Sequence, residues 1–79
     1  MKTYEVIQTL MDVHQPKRVS RAEMARLLGA SRGTVGNQLD GRNEMRVSKV
    51  LEYLDQLGYK MVLVPKGKRL AEGDYEITE

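Results

Sequence analysis

The sequence predicts a mainly helical α+β fold: four or so short helices, then one or two C-terminal strands. Three observations carry this. Apolar residues recur at helical spacing in four segments, and each segment is closed by a breaker, at Pro16, Gly29, Asp40-Gly41 and Gly58. Serines stand where two of these segments begin, Ser20 and Ser31. The stretch with the clearest strand character, YKMVLV at 59–64, follows the last helical segment and stops at Pro65.

The first helix lies in TYEVIQTLMDVH, where Val6, Ile7, Leu10 and Met11 share a face and Thr3 is the expected cap. It should end before Pro16, because the residue preceding a proline is pushed out of the α region. The second begins at Ser20. Ser20 and Glu23 read as a capping box, S-x-x-E. Met24, Leu27 and Leu28 give this helix its apolar face, Ala25 a small contact, and Gly29 its stop. Ser31 then caps a third helix, in which Val35 and Leu39 lie four apart. Val47 and Ser48 lead into the fourth, KVLEYLDQL, with Val50, Leu51, Leu54 and Leu57 as a stripe.

Both faces of the strand at 59–64 are largely apolar, and such a strand is usually covered on both sides. With 79 residues the chain makes one small domain with little material for that cover. The helices occupy 1–58 and the strand extension 59–79. Tyr59, Met61, Val62, Leu63 and Val64 are therefore expected to pair with a second copy of the chain. A hairpin with a second strand at 75–78 is the other reading, and both can hold together.

Charge is unevenly placed. The net charge is +2, but between Lys17 and Lys49 eight basic residues face three acids, a local net of +5. A basic middle suggests a face that prefers an anion. Enzymatic chemistry finds no support: His14 is the single histidine, and no acidic pair, nucleophile–base set or phosphate-binding glycine loop is visible. The five methionines read as core filler. No metal and no cofactor are expected. With no cysteine, no apolar run of membrane-spanning length and no signal-peptide core in MKTYEVIQTLMD, the expected location is cytoplasmic.

Ser20 to Gly41 reads as one unit of two helices joined by a tight turn. Packing two short helices this closely needs a small residue in the first, a glycine in the turn and an apolar lock in the second. Ala25, Gly29 and Val35 suit those jobs. Ser20, Arg21, Met24, Ala25, Leu28, Gly29, Ala30, Ser31, Thr34, Val35 and Gly41 together resemble the Cro/repressor-type helix-turn-helix (lambda-repressor-like, XRE) family. The resemblance extends over about residues 4 to 57. Two positions depart from it. Arg21 stands where the family usually has glutamine, and Gln38 where it often has an apolar residue, with Leu39 taking that role. The strand after the last helix is similar to the dimerising C-terminal strand of phage Cro-like regulators and type II antitoxins.

The resemblance implies sequence-specific binding to double-stranded DNA. It implies a homodimeric transcriptional repressor on a palindromic operator, in the nucleoid of a bacterial or phage-infected cell. The first helix of such a unit crosses the backbone and the second enters the major groove. Base contacts then fall to Arg32, Gly33, Gly36 and Asn37, with Arg32 suited to guanine and Asn37 to adenine. Each glycine costs about 0.5–1 kcal/mol against alanine in a helix. Missing side chains at Gly33 and Gly36 would let the backbone sit deeper in the groove. Two other readings remain: the glycines are merely tolerated, or the free helix frays and orders on DNA. Phosphate contacts fall to Ser20, Arg21, Ser31, Thr34, Arg42 and Arg46, while Arg26 reads as a solvated face. The alternative function is a protein-binding module that inhibits or neutralises a partner such as a toxin.

Overall fold

Capping chemistry sets where each helix starts. The Ser20 hydroxyl accepts the Glu23 amide at 3.1 Å and opens α2, Arg21–Leu28. The Ser31 hydroxyl accepts the Thr34 amide at 3.1 Å and opens α3, Arg32–Leu39. At the start of α1, Thr3–Asp12, the capping position is Lys2 rather than Thr3, and the Glu5 carboxylate accepts the Lys2 amide at 2.8 Å. The fourth helix, α4, spans Val47–Leu57. The computed structural model describes residues 1–67 and 75–78; residues 68–74 and 79 of the expected strand extension lie outside the described residues.

Only half of the expected capping box forms. Glu23 turns to Arg26 on its own helix face rather than back to the Ser20 amide. A charge-assisted pair with a guanidinium three residues on outcompetes a neutral amide. Helix ends follow the breakers. Gly29 and Gly58 hold left-handed φ of +66° and +83° after α2 and α4.

The core sits where the four helices meet. Helix α3 packs on α2 and α1, and α4 packs on α1 and α2. Ile7 and Met11 come from α1, Met24 and Ala25 from α2, Val35 and Leu39 from α3. Val50, Tyr53 and Leu57 come from α4. The α4 stripe is thus turned from the expected one: Leu51 and Leu54 are half-buried, and Tyr53 is fully buried. An aromatic ring at i+3 from Val50 fills more of the space under α3 than a leucine can, provided its hydroxyl finds a partner. Val6 and Leu27, expected to face inward, stand at the exposed rim.

The C-terminal strands form a hairpin. Strand β1, Met61–Leu63, pairs antiparallel with β2, Tyr75–Ile77, with Met61 opposite Ile77 and Leu63 opposite Tyr75. The expected strand at 59–64 is shortened at its start because the Tyr59 amide donates to the Leu54 carbonyl at 2.8 Å and belongs to the exit from α4. Among the described residues the other edge of β1 has no strand beside it. No helix among them is long and apolar enough to cross a membrane.

Candidate nucleic-acid interface

Helix α3 buries Val35 and Leu39 and leaves its first turn, Arg32, Gly33 and Thr34, exposed. Two positions on its outer side, Gly33 and Gly36, carry no side chain. Neither Gly33 nor Gly36 has a positive φ. A Cβ at Gly36 would meet nothing within 4 Å, and one at Gly33 only the Ser31 hydroxyl, at 3.9 Å. Neither backbone conformation nor internal packing therefore calls for glycine at these sites. Gly36 and Asn37 are half-buried rather than turned fully outward. At Asn37 the chain after Gly41 folds back, so that the Arg42 and Asn43 amides donate to its carbonyl at 2.9 and 3.3 Å. Gly41 itself has φ +77°, and a Cβ there would stand 2.6 Å from the Tyr4 ring. Both facts require glycine at this turn.

The cations of the basic stretch divide into two sets. Arg26 is paired with Glu23, whose carboxyl is held below its ordinary range chiefly by that hydrogen bond. Arg18 lies 4.0 Å from Asp12, and Lys49 lies 3.1 Å from Glu52. Lys17, Arg32, Arg42 and Arg46 have no carboxylate partner among the described residues. Two of these four adjoin α3, since Arg32 opens it and Arg42 follows its closing turn, while Arg46 occupies the capping position of α4.

Arg21, expected at a phosphate, has two partners within the chain. Its Nε donates to Gln8 Oε1 at 2.9 Å, and its Nη1 donates to Asp40 Oδ1 at 2.9 Å. One guanidinium thus ties α1, α2 and the end of α3. The Ser20 and Ser31 hydroxyls are engaged as caps, and Ser31 Oγ also shares a hydrogen bond with Thr34 Oγ1 at 2.9 Å. What α2 and α3 can offer an anion at these ends is their free backbone amides.

A pair that the sequence reading missed sits beneath α3. The buried Tyr53 hydroxyl donates to Gln38 Oε1 at 2.7 Å. Burial pushes this phenol up to about 12, so it keeps its proton through the neutral range. The signal was present as a tyrosine in register with Val50 and Leu57, opposite a glutamine where an apolar residue would fit. On the hairpin and just beside it, Tyr59, Leu63, Val64 and Tyr75 are exposed, while Met61 and Val62 are half-buried. No cluster of metal-ligating side chains occurs among the described residues.

The class defined so far is a small four-helix domain with a tight helix-turn-helix pair, a bare-faced second helix and a C-terminal hairpin. No family model, curated protein or solved structure matches the chain.

Proposed function

We propose that this protein is a sequence-specific double-stranded DNA-binding transcriptional regulator of the Cro/repressor type. It acts as a homodimeric repressor on a palindromic operator in the cytoplasm, whether of a phage or of a toxin–antitoxin operon. One observation carries the reading: an exposed first turn of α3 with open space at Gly33 and Gly36, joined by Arg32 and Arg42 at its ends and by Arg46 further along the chain, three cations with no carboxylate partner among the described residues. In the major groove, Arg32 and Asn37 supply the donors that read base edges, and the glycines let the backbone approach. Arg42 and Arg46, in the segment between α3 and α4, meet phosphates beside it. Repression is then steric, since a bound dimer denies the site to polymerase.

The test is titration of the protein with random duplex over a range of salt, followed by selection of bound fragments. Affinity should fall steeply, with a slope in log–log form of about −0.9 per phosphate neutralised. A flat response together with no enriched sequence removes the reading. The exposed Tyr59, Leu63, Val64 and Tyr75 favour a protein contact on the hairpin, which in this proposal is the second copy of the chain. Sedimentation should show a dimer at micromolar concentration and a monomer for Leu63→Lys. A wild-type monomer that captures a partner protein and ignores DNA would support the protein-binding alternative instead.

A further inference from the structure

Gln38 occupies an unusual place for a polar residue. It lies on the inner flank of α3, next to Asn37, and its Oε1 accepts from the buried Tyr53 hydroxyl at 2.7 Å. A carboxamide is planar, so fixing the oxygen also fixes the nitrogen on the opposite side. No hydrogen bond uses Nε2 among the described residues. Gln38 also lines a groove between the start of α1 and the loop after α3. Lys2, Thr3, Tyr4 and Asn43 bring further donors to that groove, and Glu44 is its one carboxylate. An apolar side chain would serve packing alone equally well at this position. The polar pair instead spends the acceptor inward and leaves the two N–H donors outward.

We infer that Gln38 is a DNA-phosphate contact and that Tyr53 is the residue that positions it with its donors outward. The assignment rests on the DNA-binding reading of α3. A phosphodiester oxygen is a charged acceptor, the partner an outward Nε2 requires. Turned the other way, the amide would aim its oxygen at the phosphate and repel it. A phosphate held beside Gln38 also fixes the strand whose base Asn37 reads, since the two residues are consecutive on α3. Among the described residues the Tyr53 hydroxyl donates to Gln38 Oε1 alone, and an amide turned the other way would take that acceptor from its proton.

The decisive variant is Tyr53→Phe/Gln38→Met, which removes both polar partners and keeps their approximate shapes. Replacing both members of a buried hydrogen bond in this way is close to neutral for stability. Its melting temperature should therefore stay near wild type. Its affinity for random and selected duplex should fall alike, by about tenfold, the size of one charge-assisted hydrogen bond. Tyr53→Phe alone frees the amide to flip and should lose about threefold, a smaller share of the same bond. Gln38→Glu keeps the bond to Tyr53, and so the fold, but removes the donor and should bind duplex more weakly than either. Wild-type binding with undiminished affinity in the double variant or in Gln38→Glu overturns the assignment and leaves the DNA reading intact. A wild-type protein that binds no duplex at any salt overturns both.

Discussion

Gly36→Ala separates what α3 needs for folding from what it needs for binding. The new Cβ would meet no atom within 4 Å, and the backbone there lies outside the left-handed region. Alanine should therefore stabilise the free protein by about 0.5–1 kcal/mol, through helix propensity and a less flexible unfolded chain. For a domain of this size that corresponds to a rise in melting temperature of roughly 2–8 °C. Gly33→Ala should do the same, since only the Ser31 hydroxyl lies near, at 3.9 Å. On DNA the sign reverses. A methyl inserted into a closed contact between backbone and base edge should cost on the order of 1–3 kcal/mol. The assay is a thermal melt and an operator titration on the same preparations. A Gly36→Ala protein that melts higher and binds the operator as tightly as wild type would refute close approach and leave the glycine as merely tolerated. One that melts lower would show that the helix around Gly36 is not as described.

Arg21→Ala should destabilise the fold by about 1 kcal/mol, a figure reduced because the side chain is 39% exposed, and should leave the salt slope of duplex binding unchanged. A slope reduced by about one unit would show that Arg21 meets a phosphate as well as Gln8 and Asp40. Gly41→Ala should cost about 2 kcal/mol or more, from the left-handed φ and the collision with the Tyr4 ring, and adding Tyr4→Ala should relieve the second part. Equal melting temperatures for Gly41→Ala and wild type would sink that account. Asn37→Ala should lose discrimination at one or two base pairs, worth about 1–3 kcal/mol, with its melting temperature nearly unchanged. A loss spread evenly over all sequences would move Asn37 from base to phosphate.

The order of elements was legible because caps and breakers are local chemistry. Ser20, Gly29, Ser31 and Gly58 act on amides and carbonyls within a few residues of themselves. The apolar pair Val35 and Leu39 was legible for the same reason, since four residues make one turn. The hairpin was one of two readings, and its register with Tyr75–Ile77 follows from a pairing no local pattern encodes. What stayed hidden was non-local. Tyr53 and Gln38 are 15 residues apart, and Arg21 and Asp40 are 19 apart. Neither pairing has a spacing rule, because each depends on how one helix docks on another. The return of the chain at 42–43 onto the Asn37 carbonyl was hidden too, since no helical wheel encodes it.

These hidden contacts explain how α3 can exist at all. It is eight residues long, carries two glycines and seats only Val35 and Leu39 in the core. Such a helix is too short to be stable by propensity, and its glycines together cost about 1–2 kcal/mol. The structure holds it from outside its solvent face. Ser31 and Thr34 fasten its start, Arg21 grips Asp40 at its end, and Gly41 seats the closing turn under Tyr4. Tyr53 ties its inner flank to α4 through Gln38. The Ser31 cap and the exposed Arg21–Asp40 pair contribute at most about 1 kcal/mol net each, comparable with the cost of the glycines. Of these ties only the Ser31 hydroxyl borders the surface at Gly33 and Gly36, 3.9 Å from where a Gly33 Cβ would stand. Stability supplied by tertiary bonds at the ends and inner flank is what leaves that surface open, and a helix stabilised instead by alanine or by long side chains along its length would have no bare face to present.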